Sequence, residues 1–153
     1  MQDYKSSEAT EECSVILTKS ILYSSGYKYQ LKADYQVHTD VVPDMPWEDQ
    51  FCSLDVQGVL TVRSGYAFDG PSGPTIDTKS FMRGALVHDV LYQILRHGGL
   101  PKSYKDLCDR MLQRICVEDG MFKLRAWYVY QGVKMFGYKS LTKDSIKQQQ
   151  VAP

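Results

Sequence analysis

Alternation of apolar and polar residues in the first half of the chain predicts β-strands. Side chains alternate in this way at 26–31 and 34–38, the pattern of strands that bury only one face. Shorter runs of apolar and β-branched residues predict further strands at 14–18, 51–56 and 58–62. The last two form a predicted hairpin across Gln57 and Gly58, and two prolines make 42–47 a loop.

The second half of the chain has helical periodicity, and it follows a segment rich in Gly and Pro at 64–78. Three helices are predicted, each followed within two residues by glycine, at 78–97, 103–118 and 121–136. Thr78 or Ser80 is expected to cap the first helix, and Ser103 with Asp106 forms a variant capping box for the second. The predicted fold class is therefore α+β, with a small antiparallel sheet followed by three helices packed against it.

Length and composition fit one domain of ordinary type. The 153 residues include 43% hydrophobic and 24% charged residues, and we expect a domain at 13–139 between flexible segments at 1–12 and 140–153. Eighteen basic and 18 acidic residues give no net charge, which argues against a general nucleic-acid binder. No apolar run is long enough for a membrane span, and no secretory signal is recognised. The four scattered cysteines are therefore expected to be reduced and free of zinc.

One helical stretch, 87–92, places polar groups on an apolar helix face. His88 and Tyr92 lie one turn apart on that face, and Asp89 lies about 100° further round, at its edge. The simplest interpretation of such a histidine is a core residue with one hydrogen-bond partner. The preceding loop rich in Gly and Pro and the neighbouring carboxylates favour a ligand-binding or catalytic site instead.

The second predicted helix returns antiparallel to the first and brings two carboxylates toward His88. Asp106 is expected to point to solvent, whereas Asp109 lies at the border of the apolar stripe. Asp109 can accept a hydrogen bond from one ring nitrogen of His88, which fixes the tautomer and leaves the other nitrogen able to deprotonate water. An ordinary surface carboxylate is the alternative for Asp109. On the third helix, four consecutive side chains at 127–130 point all round, so core packing is their expected role.

Several separated motifs resemble a family of small, uncharacterised phage and prophage proteins that is classed as a domain of unknown function. The resemblance covers about 27–137, and its motifs occur in the family's order. They are Gly65-Tyr66, Phe68-Asp69-Gly70-Pro71-Ser72-Gly73-Pro74, His88-Asp89-Val90-Leu91-Tyr92, Cys108-Asp109 and Phe136-Gly137. The resemblance implies a phage or prophage origin, and hence a location in the host cytoplasm or the virion, but it implies no activity.

The His-Asp-x-x-Tyr motif at 88–92 also resembles phospholipase A2, most closely the compact form found in parvovirus capsids. The resemblance implies that His88 is the base, that Asp109 orients it, and that Asp89 binds Ca²⁺. It further implies that backbone carbonyl groups complete the metal site, those of Phe68, Gly70 and Gly73. The side chains expected to support the site are those of Tyr66, Asp69 and Tyr92. The chain departs from the secreted enzymes because Leu91 stands where they have Cys, and because their disulfide framework is absent.

Two classes of function remain open. The first is a Ca²⁺-dependent hydrolase of esters such as phospholipid, in which carboxylate and carbonyl oxygens hold the ion and the ion stabilises the oxyanion. The second is a non-enzymatic virion component or a phage accessory protein that binds a host factor. Calcium binding that disappears in Asp89→Ala would discriminate the first from the second. A metal-dependent phosphohydrolase is disfavoured, because the other ligands it needs are not supplied by His38, on a predicted strand, or His97, at a helix end.

Overall fold

The computed structural model describes residue 21, residues 23–24, and residues 29–70 and 78–142. Short strands come first along the chain and three helices follow, so the α+β prediction is confirmed. The strands are β1 (Tyr23–Ser24), β2 (Tyr29–Leu31), β3 (Tyr35–His38), β4 (Trp47–Glu48), β5 (Cys52–Leu54), β6 (Val59–Val62) and β7 (Ala67–Phe68). The helices are α1 (Lys79–Arg96), α2 (Lys105–Glu118) and α3 (Lys123–Phe136).

The strands form two antiparallel sheets rather than the single sheet expected. One has the order β1-β2-β7 and the other the order β3-β6-β5-β4. The predicted strand at 34–38 is β3, and the end of the one at 26–31 is β2. The strand predicted at 14–18 lies outside the described residues. Strands β1, β4 and β7 have two residues each, which is too short for alternation to be recognised.

The predicted hairpin is confirmed, with β5 paired to β6 and Leu54 opposite Leu60. The Asp55 carboxylate holds the turn by accepting hydrogen bonds from the backbone amides of Gln57 and Val59, at 2.9 and 2.8 Å. Gly58 has a φ of +82°, and a Cβ there would lie 2.7 Å from the carbonyl oxygen of Thr39. Glycine is required at this position because a side chain would be strained in its backbone conformation and would clash.

Each helix begins and ends within two residues of its predicted bounds. The capping box predicted at Ser103 is wrong, because Pro101 starts a short 3-10 turn, Lys102–Tyr104, and α2 follows it directly. Neither this turn nor the start of α2 has a side-chain capping hydrogen bond. No side chain caps the start of α1 either, although Thr78 stands at the predicted capping position.

Helix α1 lies in the centre of the molecule, and its pairing with α2 is antiparallel. Arg83, near the start of α1, contacts Asp119 at the end of α2, and His88, further along α1, contacts Asp109 near the start of α2. Gly84 lets the helices approach closely, since a Cβ there would lie 2.9 Å from Sγ of Cys116. The three described cysteines are buried and unpaired, as expected for reduced thiols: Cys52, Cys108 and Cys116.

Helix α3 packs on α2 with only part of its apolar surface. Val129 and Tyr130 are buried, but Trp127 is 50% and Tyr128 is 67% exposed. The expectation that all four residues at 127–130 pack in the core is therefore half wrong, because α3 lies at the edge and α2 covers one side of it. A 3-10 turn, Gly137–Leu141, continues from α3. Leu141 is buried, so the packed part of the chain extends two residues beyond the domain boundary expected at residue 139. None of the described helices combines the length and the apolarity needed to cross a membrane.

Candidate active site

The antiparallel packing of α1 on α2 places His88 against Asp109, as the sequence predicts. Nε2 of the histidine lies 2.9 Å from Oδ1 of the carboxylate. Because an ionised carboxylate only accepts hydrogen bonds, Nε2 carries a proton, and in the neutral imidazole the lone pair is therefore on Nδ1. The alternative, in which Asp109 is an ordinary surface carboxylate, is excluded because this residue is fully buried, with 0% exposure.

Asp109 is held by three donors in an enclosed position. Besides His88, the Tyr92 hydroxyl donates to Oδ1 at 2.7 Å, and Nζ of Lys105 donates to Oδ2 at 2.7 Å. Burial by itself raises the pKa of the Asp109 carboxyl, but the bonds from His88, Lys105 and Tyr92 outweigh it and lower this pKa below its ordinary value. Asp109 therefore remains ionised at neutral pH despite its burial.

Lys105 is the principal residue of this network that the sequence analysis missed. It is 4% exposed, and its ammonium group makes three hydrogen bonds: to Asp109, to the Val133 carbonyl at 3.2 Å and to the Lys134 carbonyl at 3.3 Å. The two carbonyls belong to the last turn of α3, and the Val133 carbonyl also accepts a hydrogen bond from the backbone amide of Gly137. The spacing of four residues between Lys105 and Asp109 is the one local signal that could have identified the pair.

The second ring nitrogen of His88, Nδ1, is not used by the hydrogen-bond network around Asp109. Among the described residues Nδ1 has no hydrogen-bond partner, and it is not one of the enclosed unpaired polar atoms, which are Nε1 of Trp47 and Nε of Arg114. The side chain of His88 is 9% exposed, so the imidazole is nearly buried and only a small part of it reaches the surface. The imidazole is fixed on its other side by the Tyr92 ring, 4.0 Å between centroids and tilted by 39°.

Gly137 closes the site above Tyr92. A Cβ at this position would lie 2.3 Å from the Tyr92 hydroxyl oxygen, so only glycine allows the end of α3 to approach so closely. Helix α3 thus contacts the network at two points, through Gly137 and through the carbonyls that bind Lys105. The Phe136-Gly137 step of the sequence has a packing role here.

Asp89 lies on the neighbouring side of α1 and faces the loop that follows β7. Burial, and next the negative charge of Asp69, raise the pKa of Asp89 to about 7, while Arg96 opposes the shift. The backbone amide of Asp69 donates a hydrogen bond to the Asp89 carboxylate. In a trans peptide the carbonyl points away from the N–H, so the Phe68 carbonyl, which belongs to that peptide, points away from Asp89.

The remaining residues of the expected calcium site are placed only in part. Tyr66 is buried, and its hydroxyl donates to Oε1 of Gln93 at 3.1 Å, so it ties the loop to α1. Gly70 has a φ of +72° and packs against the Tyr29 ring, which a Cβ would meet at 2.5 Å. Gly73 lies outside the described residues. In that described part, no three His, Cys, Asp or Glu side chains group closely enough to hold a metal ion.

The donor chemistry beside Asp89 fits a hard cation. Two carboxylates, those of Asp89 and Asp69, repel one another, and a divalent cation would relieve that repulsion. The donors that the described residues place beside Asp89 are oxygen atoms, the ligands that Ca²⁺ prefers. Within the described residues, Asp69 rather than Phe68 is the partner that fits beside Asp89.

No protein-family model, curated protein or solved structure matches the chain. The geometry of this site and the chemistry of its groups are therefore what a functional assignment rests on.

Proposed function

We propose that the protein is a hydrolase of ester bonds in which His88 activates water. The observation that carries this proposal is the arrangement of the imidazole: one nitrogen is fixed on a buried, ionised carboxylate, and the other has no hydrogen-bond partner among the described residues and is not fully enclosed. A core histidine needs only a hydrogen-bond partner, whereas a general base also needs an accessible nitrogen of defined tautomer. His88 meets both requirements of a base.

The reaction follows from the positions of the groups. Nδ1 of His88 takes a proton from water as the oxygen attacks the ester carbonyl, and the imidazolium that forms is stabilised by Asp109. When the tetrahedral intermediate collapses, the C–O bond to the leaving alcohol breaks and His88 returns the proton to that oxygen. Tyr92 and Lys105 do not contact the substrate in this scheme; they are positioning residues that keep Asp109 ionised and fixed.

Calcium belongs to the same proposal. Asp89 and Asp69 would hold the ion, with the carbonyls of Gly70 and Gly73 as the further oxygen donors that the phospholipase A2 resemblance implies. When bound, Ca²⁺ supplies positive charge for the developing oxyanion. Phospholipid is the substrate class that the resemblance favours, and a simple ester is the minimal substrate. The phage origin, and with it a location in the host cytoplasm or the virion, is proposed on the motif resemblance alone.

The test is hydrolysis of phospholipid and of a simple aryl ester by the wild type, His88→Gln and His38→Gln. His38 is exposed on β3 and serves as the matched control. We expect His88→Gln to lower kcat by about 10²–10⁴-fold, the usual contribution of a general base, and His38→Gln to leave it unchanged. Equal rates in the wild type and His88→Gln would refute the assignment of His88 as the base.

Calcium is tested separately by titration calorimetry. Binding is expected in the wild type and in Asp44→Asn, a control for an exposed carboxylate away from the site, and is expected to disappear in Asp89→Asn. Heat of binding that persists in Asp89→Asn would place the ion elsewhere. Hydrolysis that continues in EGTA would leave the His88 mechanism in place and remove calcium from it.

One observation favours the second candidate function, a non-enzymatic phage or virion protein that binds a host factor. Tyr92 and Lys105 also donate hydrogen bonds to Asp109, and Lys105 donates to a carbonyl of α3 as well. Such a network holds α1, α2 and α3 together, which is a sufficient structural role for these residues. On this alternative, His88→Gln lowers stability and there is no activity to lose. A wild type that hydrolyses no ester with or without calcium, together with a lowered Tm in His88→Gln, would support it.

A further inference from the structure

The side of α3 that faces away from the protein core is apolar. Four large side chains on this side are exposed, and we refer to them as the outer face of α3: Leu124 (78%), Trp127 (50%), Tyr128 (67%) and Met135 (70%). Their spacings of three, four and seven residues place them on one side of the helix. The side chains that pack against the rest of the molecule, Ala126 and Val129 among them, lie on the opposite side.

A helix at the surface of a soluble domain normally presents polar residues to water. The apolar residues of the outer face make no contribution to the core, so folding does not explain them. Two more exposed aromatic residues, Phe122 at 86% and Phe136 at 67%, lie at the two ends of the same helix. Gln131 is the polar residue on this side, between Trp127 and Met135. An exposed surface that is otherwise apolar over the length of a helix is typical of a binding surface.

Charge on this part of the chain is strongly one-sided. Residues 121–142 contain Lys123, Arg125, Lys134 and Lys139 and no Asp or Glu, whereas the whole chain has 18 basic and 18 acidic residues. Lys123 and Lys134 follow one border of the outer face, and Arg125 lies toward the other, by the helical rotation of 100° per residue. The outer face is therefore an apolar and aromatic strip bordered by positive charge.

We propose that the outer face of α3 docks on the surface of an anionic lipid bilayer. Trp127 and Tyr128 have the amphipathic rings that partition to the headgroup region, and Leu124 and Met135 supply apolar contact below it. The bordering cations meet anionic headgroups, with Lys123 contributing more than Lys134, whose Nζ already lies 3.8 Å from Oδ1 of Asp106. Fourteen residues make a helix of about 21 Å, which lies along the surface and does not cross the bilayer.

Other occupants fit less well. A second copy of this chain would bring the three cations that border the outer face against the same three, which is repulsive. A nucleic acid would match the charge and stack on the aromatic rings, but it would leave the apolar side chains of Leu124 and Met135, near the two ends of α3, without a partner. Docking on lipid does not depend on the proposed hydrolysis, because binding can be measured without turnover.

The experiment is co-sedimentation of the full chain with vesicles, carried out in EGTA on the His88→Gln background so that no lipid is hydrolysed. Vesicles of equal parts phosphatidylglycerol and phosphatidylcholine are compared with vesicles of phosphatidylcholine alone. We expect binding to the anionic vesicles that weakens with salt, and an affinity that falls about tenfold or more in Leu124→Gln/Met135→Gln. Met45→Gln is the matched control, since Met45 is 76% exposed in the loop between β3 and β4 and is expected to change nothing.

A second readout locates the contact. In a Trp47→Phe background Trp127 is the one remaining tryptophan, and its fluorescence is expected to shift to shorter wavelength on anionic vesicles. The circular dichroism spectrum and Tm of Leu124→Gln/Met135→Gln should equal those of the parent, because both side chains are exposed.

Three results would overturn the proposal. They are no sedimentation with anionic vesicles, an equal loss of binding in Met45→Gln, and tight binding to a single-stranded oligonucleotide with no vesicle-induced shift of Trp127. The last would assign the outer face to nucleic acid instead. A dimer that dissociates in Leu124→Gln/Met135→Gln, without vesicle binding by the parent, would assign it to self-association.

Discussion

Helices α1 and α3 depart from the usual distribution of side chains in opposite directions. Helix α1 buries charged and polar residues, with Arg83 at 5% and His88 at 7% exposure, in the middle of the molecule. Helix α3 exposes large apolar residues, with Leu124 at 78% and Met135 at 70%. Burying a polar group is costly unless it is hydrogen-bonded, and exposing a large apolar patch is equally unusual without a partner.

The difference shows where each departure is compensated. Around α1 the compensation is inside the protein: Arg83 is paired with Asp119 and Glu118, and Asp109 accepts bonds from three donors. On the outer face of α3 nothing within the described residues compensates. The polar groups of α1 therefore affect stability when they are changed, whereas the apolar groups of α3 should affect only what binds there.

The largest expected effect comes from Lys105→Met, which removes the cation from the fully buried Asp109. An uncompensated charge is left in the interior, and we expect the free energy of unfolding to fall by about 3–5 kcal/mol. The measurement is urea denaturation followed by circular dichroism at neutral pH. Arg110→Met on the same helix is the control, because its i−4 partner Asp106 is 47% exposed and the pair is solvated.

Equal effects of Lys105→Met and Arg110→Met would contradict the assignment of Lys105 as the buried partner of Asp109. Acid provides a second check on the same contact. Because the folded-state pKa of Asp109 is lowered, its contribution is present above the pKa of the unfolded state and is lost as the pH falls through the folded-state pKa. Asp109→Asn should therefore remove part of the acid-induced loss of stability that the wild type shows below about pH 4.

A smaller effect is expected for Tyr92→Phe, which deletes one hydrogen bond to Asp109 and leaves the ring in place. The cost is about 1.5–3 kcal/mol, the range for a bond to a charged group. Tyr130→Phe is a close control, because its hydroxyl also donates to an aspartate at 2.7 Å, that of Asp106, which water reaches. We expect thermal denaturation to show a larger loss of stability for Tyr92→Phe than for Tyr130→Phe. Equal losses would mean that burial does not strengthen the hydrogen bond from Tyr92 to Asp109.

The sequence was sufficient to predict most of the architecture and one contact of the site. Helices α1, α2 and α3 are long and periodic, so their bounds were close, and the antiparallel return of α2 made the approach of Asp109 to His88 predictable. Strands of two residues carry no period and were missed. One sheet was expected in place of two, because alternation along a strand does not report which strand is its neighbour.

The missing parts of the site depend on contacts between distant segments. Lys105 is polar and near the start of a helix, where a solvated side chain is the usual outcome. It is buried because the last turn of α3 presents the carbonyls of Val133 and Lys134 to it. Asp69 was expected only to support the loop, and the orientation of its amide toward Asp89 is set by backbone angles that the residue types do not reveal.

The smallest effect is expected for Gly137→Ala, at the point where the end of α3 meets Tyr92 of α1. Gly137→Ala places a methyl group 2.3 Å from the Tyr92 hydroxyl oxygen, so either that hydroxyl or the end of α3 must move. The backbone of Gly137 is in the ordinary helical region, with φ of −64°, so the alanine is not strained by its own conformation.

The cost of Gly137→Ala is therefore steric, about 1–3 kcal/mol. Gly132→Ala is the opposite case on the same helix, because nothing lies within 4 Å of its Cβ, and alanine should stabilise α3 by about 0.5–1 kcal/mol. Thermal denaturation of both variants gives shifts of opposite sign if α3 is tied to Tyr92 at its end and unpartnered along its outer side. Stabilisation by both variants would mean that the end of α3 is not held against the His88 site, whereas destabilisation by both would mean that the space beside Gly132 is not open.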